Sequence, residues 1–198
     1  LGPNLGTLGS IHEPAYTKQS LINALEGVEN VVLQPSKRWG EGDSTQSFKT
    51  APWCTIQAGE AAGIMIGGNI GTFYLLQGTE YFPSFDEETI LILEDDDQSG
   101  EYTVREFDRR LESLLQQPGA RARIKGILIG RFQQKSNISM EILKEIIASK
   151  NLKEVPVIAN IDFGHTQPLL TLPIGGQATI YATKSAQKVT INYKNNRN

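Results

Sequence analysis

Cysteine is nearly absent: Cys54 stands alone among 198 residues, so no disulfide can close within the chain. That fits a reducing compartment, and a cytoplasmic protein is expected. Long apolar runs are missing too. Runs such as residues 89–93 and 127–129 fall far short of a membrane span. The first residues lack the charged stretch and apolar stretch of a signal peptide, so neither membrane nor export is expected. Basic clusters are also lacking. Nineteen Lys and Arg stand against 22 Asp and Glu, for a net charge of −3. Neutralising the phosphates of a nucleic acid needs a basic face, so the expected ligand is small and nucleic acid is not an expected partner.

What is present is enough apolar residue, 39% of the chain, to build one core, with or without an ordered arm. The opening LGPNLGTLGS does not begin with methionine and reads as the middle of a longer protein. The expected organisation is an arm or linker remnant over residues 1–16, a folded domain over 17–193 and a frayed tail over 194–198.

Periodicity supplies the elements. A short helix is expected over residues 18–26, with Leu21, Ile22 and Leu25 inward and Gly27 as its stop, then a strand over 31–33. Residues 35–51, PSKRWGEGDSTQSFKTA, read as a long polar loop. Strands follow over 53–57 and 61–66, the second running into Gly67, Gly68 and Asn69, with Asn69 as the N-cap of a helix carrying Ile70, Phe73 and Leu76. A fully apolar strand, TILIL, spans 89–93. Thr103 and Glu106 have the spacing of a capping box for a helix to residue 116. A strand over 124–129, a helix over 139–150 and a strand over 155–159 come next, and alternating residues at 178–182 and 188–193 read as a closing hairpin. Strands alternating with helices are the signature of an α/β fold with a mainly parallel sheet.

Chemistry-bearing residues stand at strand ends. Glu94, Asp95, Asp96 and Asp97 follow TILIL, at the carboxyl end of a strand, where open α/β sheets place their sites. A cation site ranks low for these four, because the alternating ligands and central glycine of an EF-hand are missing. Glu94, nearest the apolar strand, is expected in a restricted environment and Asp96 and Asp97 in water. His165 sits between Gly164 and Thr166 in a turn after the 155–159 strand. It reads either as a turn histidine or as an imidazole held at a cleft. A carboxylate that accepts one ring N–H frees the other nitrogen to act as a base, so Glu94 and His165 form a candidate pair. Gly67–Asn69 read first as a capped turn, since a phosphate loop has other spacing. Trp39 in its polar loop stacks either on a flat ligand or on local structure. No nucleophile stands out: Ser10, Ser44 and Ser47 lie in expected loops, Cys54 reads as a buried strand thiol, and no Gly-x-Ser-x-Gly elbow exists. A serine upstream of Leu1 is the expectation.

Three segments, GIMIGGNIGTFYLLQGT, ILILEDDD and PVIANIDFGHTQPLLTLPIGGQATI, in this order, resemble the C-terminal domain of the LD-carboxypeptidase family of serine peptidases. The long loop around Trp39 resembles the branch that includes the microcin C immunity protein. The resemblance implies a swivelling β/β/α domain over residues 17–193 and a Ser–Glu–His triad whose serine lies in an N-terminal domain. It implies that Glu94 and His165 are the other two members, that Gly68 and Asn69 face substrate, and that Trp39 stacks on a nucleotide base. It further implies a homodimer, an N-terminal domain as partner, and a small peptide or aminoacyl nucleotide as substrate; no cofactor or metal is expected. A non-catalytic peptide- or nucleotide-binding domain and a metal-dependent hydrolase built on residues 94–97 are the alternatives.

Overall fold

A computed structural model describes residues 1–41, 47–49 and 52–194. In chain order the elements are α1 (Gly6–Gly9), α2 (Ala15–Leu25), β1 (Val31–Val32), β2 (Arg38–Glu41), β3 (Ser47–Lys49), β4 (Cys54–Gln57), β5 (Gly59–Asn69), α3 (Ile70–Tyr74) and β6 (Thr89–Glu94). A 3-10 turn (Gly100–Tyr102) leads into α4 (Thr103–Leu115), then α5 (Ala120–Arg123), β7 (Ile124–Gly130), α6 (Met140–Ser149), β8 (Val157–Ile161), β9 (Thr166–Gln167), β10 (Gln177–Ala182) and β11 (Gln187–Ile191). Among the described residues, eight strands form one mixed sheet in the order β1-β11-β10-β5-β6-β7-β8-β4. Strands β5 to β8 run parallel at its centre, β10 and β11 add the expected antiparallel hairpin, and β4 closes the far edge. The α/β class holds. Among the described residues no helix is long and apolar enough to cross a membrane.

The two faces of the sheet carry separate cores, and β6 divides its side chains between them. Leu91 and Leu93 join Ile66, Ile127 and the helix residues Phe107, Leu111 and Ile147 on one face. Ile90 and Ile92 join Met65, Ile158, Phe163, Leu170 and Leu172 on the other. All four β6 aliphatics are fully buried, and burying each contributes about 1.5–3 kcal/mol. A slip of one residue would exchange the two faces, so the register is firmly set. That register decides where the strand's terminal carboxylates go.

Several expectations are corrected. Helix α2 starts earlier than expected and buries Thr17, Ser20 and Leu21, while Leu25 stays 58% exposed. The hydroxyls explain this: Thr17 Oγ1 accepts from the Leu169 N–H at 2.9 Å and Ser20 Oγ from the Thr171 N–H at 2.8 Å. The helix thus satisfies an irregular segment downstream of His165, which no apolar stripe could do. The capping box of α4 does not form, because the preceding 3-10 turn makes Thr103 helical and its hydroxyl donates to the Gly100 carbonyl. The glycines at 67 and 68 belong to β5, and α3 is only one turn long, though Asn69 caps it as expected. The polar loop contains strands: β2, β3 and β9 make a second sheet, and Ser47 lies in β3. Ser44 lies outside the described residues. Cys54 is half-buried on the edge strand β4.

Candidate active site

Alternation along β6 puts Glu94 on the same side as Ile90 and Ile92, the face covered by Phe163 and Leu170. Asp95 falls on the helix side. Beyond β8 the chain turns sharply: the Phe163 N–H donates to the Ile161 carbonyl at 2.8 Å, and the Leu170 N–H to the Asp162 carbonyl at 2.7 Å, closing the loop that carries His165. Phe163, fully buried, pins it to the sheet. Gly164 makes the close approach possible. Its φ is +108°, and a Cβ there would lie 2.8 Å from Glu94 Oε2.

The imidazole then meets the carboxylate, with His165 Nδ1 at 2.7 Å from Glu94 Oε2. Glu94 is 2% exposed and the His165 side chain 45%. A carboxylate accepts only, so in neutral His165 the proton sits on Nδ1 and Nε2 keeps its lone pair. The hydrogen bond to Glu94 raises the His165 pKa above its ordinary value; burial opposes this, and the charges of Glu94, Asp96 and Asp95 add to it. The pair has the geometry of a base with its orienting partner.

The sheet brings two further candidates to this edge. Asn69 stands opposite Glu94 in the β5–β6 register. Its Oδ1 accepts from the Thr72 N–H at 2.9 Å, and its buried Nδ2 has no partner among the described residues. Gly68, buried beside it, has open space where a side chain would stand. Gly67 is held for a different reason: a Cβ there would lie 2.0 Å from the Ile92 carbonyl oxygen. Trp39 arrives by backbone pairing. Strand β2 pairs with β9 through Gly40↔Gln167 and Glu41↔Thr166, which ties the Trp39 strand to the residues directly after His165. The indole packs under the Arg131 guanidinium, 5.3 Å from ring centroid to Cζ, and lines a cavity of about 510 Å³ with Phe132, Asn137 and Asn160.

The acidic run after β6 disperses. Glu94 faces His165, and Asp95 meets Arg110 at 3.3 Å on the helix side. Burial pushes the Asp95 carboxyl up to about 6, against the opposing pull of Arg110. Asp96 and Asp97, expected in water, are half-buried, with the Asp97 N–H donating to Gln133. Among the described residues no cluster of His, Cys, Asp and Glu could hold a metal ion. Two charged residues escaped the sequence reading. Asp162 is fully buried three positions before His165, and it pairs with Arg131 at 2.9 Å. Both follow apolar strands, β8 and β7, the signal that singled out Glu94.

The family model for the LD-carboxypeptidase C-terminal domain matches residues 62–180, a span that holds Gly68, Asn69, Glu94 and His165 but not Trp39. The Bacillus subtilis protein named Putative carboxypeptidase YocD is 38% identical over 96% of this chain and 59% of its own length. The Escherichia coli microcin C7 self-immunity protein MccF is 27% identical over 77% of this chain and 40% of its own. The crystal structure of an MccF-like protein from Bacillus anthracis superposes with a TM-score of 0.90 at 37% identity, covering 96% of this chain and 60% of that one. The chain thus matches between four- and six-tenths of the length of these relatives. On the family match and these likenesses together, the chain belongs to the LD-carboxypeptidase C-terminal domain family.

Proposed function

We propose that this domain supplies the general base and its orienting carboxylate to a serine peptidase that hydrolyses an amide bond. The 2.7 Å contact between a sealed Glu94 and a half-exposed His165 carries the reading. In the first half-reaction His165 Nε2 takes the proton of a serine hydroxyl as its oxygen attacks the amide carbonyl. The imidazolium hands that proton to the leaving amine, and an acyl-serine remains. Water then attacks with His165 as base again, and the acid is released. Glu94 stabilises the imidazolium through Nδ1 and holds the ring in the tautomer that the step needs.

The serine is assigned to a part of the protein upstream of Leu1. This fits the four- to six-tenths share of the relatives' length that the chain covers. Gly68 offers open space next to Asn69, Asn69 Nδ2 a free donor, and Trp39 a flat ring, so these three are assigned to substrate. The substrate class follows the relatives: a peptide amide near a free carboxylate, as a carboxypeptidase takes, or an aminoacyl nucleotide. MccF has been solved in complex with aspartyl sulfamoyl adenosine; at 23% identity it shares the fold, and it indicates a probe to offer.

The test offers a murein-type tetrapeptide and an aminoacyl-sulfamoyl adenosine to the full-length protein and to residues 1–198 alone. Hydrolysis by the full-length protein only is expected. Turnover by residues 1–198 that survives repurification would refute the upstream serine. Unchanged turnover in full-length His165→Ala would favour a ligand-binding domain instead.

A further inference from the structure

Asp162 is fully buried and takes no part in the proton transfers proposed above. A carboxylate removed from water costs several kcal/mol unless its oxygens find donors. Separate segments supply them. Arg131 Nη2 donates at 2.9 Å from the end of β7, Trp53 Nε1 at 3.0 Å from the approach to β4, and the Ser36 N–H at 2.8 Å from the approach to β2. Tyr16 of α2 lies 3.3 Å away, with its hydroxyl donating to the Gln34 carbonyl at 2.6 Å. The Asp162 main chain does a second job, since its carbonyl accepts the Leu170 N–H that closes the His165 loop.

These contacts converge on two groups. Ser36 and Gln34 fix the chain three and five residues before Trp39, and Arg131 lies against the Trp39 ring. Strand β2 then pairs with β9 just beyond His165. We infer that Asp162 is a positioning residue that sets the Trp39 indole relative to the His165 imidazole, with Arg131 as the link. The inference rests on the function proposed for this site. An apolar side chain could fill the space of Asp162, but it could not direct a guanidinium. A buried ion pair contributes direction more dependably than stability.

The experiment uses the full-length protein with two variants, Asp162→Asn and the charge-neutral double variant Arg131→Gln/Asp162→Asn. The single variant leaves a buried guanidinium without its counter-charge and can fail to fold; the double variant removes both charges and guards against that. For an aminoacyl-sulfamoyl adenosine, the double variant is expected to raise KM about tenfold with kcat within about threefold, the size of a partly lost base–aromatic stack. The indole N–H resonance of Trp39, assigned by its loss in Trp39→Phe, is expected to shift and broaden. Rescue of melting temperature, KM and that resonance together in the double variant would reduce the pair to a structural tie and overturn the inference. Where the wild-type protein cleaves no probe, the proposed function fails instead. The Trp39 resonance then decides this inference alone, and a native line in the double variant refutes it.

Discussion

Two acid–base pairs stand at the carboxyl edge of the parallel strands, at almost the same distance and with opposite access to water. His165 and Glu94 meet at 2.7 Å with the imidazole 45% exposed; Arg131 and Asp162 meet at 2.9 Å with 3% and 0% of their side chains exposed. A proton-transfer group must reach both a reactant and a partner that stabilises its charge. Only the first pair is built that way. The second holds an ion that never gives up its proton against a carboxylate that no solvent reaches, so it can fix geometry but cannot do chemistry. Adjacent strands with similar sequence patterns thus deliver one pair open to water and one pair sealed from it.

The sharpest way to break this contrast is to remove one member of each. In the full-length protein His165→Ala should lower kcat by about 10⁴-fold or more, as loss of a triad base does. Its melting temperature should fall less than that of an Asp162→Ala variant, because nearly half of the imidazole already lies in water, which can enter and hydrate Glu94 in its place. Asp162→Ala should act in the other currency. It leaves the Arg131 guanidinium buried beside a void, which costs about 3–5 kcal/mol of stability, read from urea unfolding. A His165→Ala protein that melts as early as the Asp162→Ala protein, or an Asp162→Ala protein of native stability, would erase the distinction.

A gentler probe leaves both pairs in place and removes only one charge. Glu94→Gln keeps the shape of the site but takes away the main cause of the raised His165 pKa. The imidazole titration, followed by its ring proton resonance, should fall toward the ordinary value of about 6.5. The sign is fixed by the direction of the shift. His165 binds its proton more tightly folded than unfolded, so the pair's contribution to stability is complete below about 6.5 and fades as pH rises through the raised value. Activity runs the other way, since a base must be neutral, and the acid limb of kcat/KM should lie above 6.5 in the wild type.

Much of this edge was legible from residue order. The first charged residue after an apolar run marks Glu94, and a Gly-His turn after the next strand but one marks His165; the register of β6 then brings them to the same face. The same mark stands on Asp162 after VIANI and on Arg131 after IKGILIG. Which of these charges is sealed depends on Trp53, Ser36 and Tyr16, neighbours that are 109, 126 and 146 positions away from Asp162. Local patterning carries no record of such contacts. The second sheet was hidden for a related reason: β2 and β3 come from a polar segment without alternation, and β2 is held by pairing with β9, more than a hundred positions on. Likewise nothing in the local pattern marks Thr17 and Ser20 of α2 as inward-facing, because their acceptor role depends on a distant irregular segment.

Asp95 and Arg110 supply an intermediate case, and with it the smallest predicted effect. The acid is buried at 5% side-chain exposure, but the guanidinium keeps 22% and shares itself with Glu106. Burial prevails over this half-wet partner, and the Asp95 carboxyl is pushed up to about 6. A raised acid is a cost when charged. The folded state holds the Asp95 proton to a higher pH than the unfolded chain, whose Asp titrates near about 3.9, so stability falls as pH climbs between those values. Asp95→Asn removes that titration. Its melting temperature relative to wild type should therefore increase from pH 4 to pH 7, by a few degrees at most, since one hydrogen bond to Arg110 is weakened in exchange. The opposite trend, with wild type gaining on the variant as pH rises, would mean that Arg110 pairs with Asp95 as effectively as Arg131 does with Asp162. Sealing from water would then not be what separates the Arg131–Asp162 pair from its neighbours.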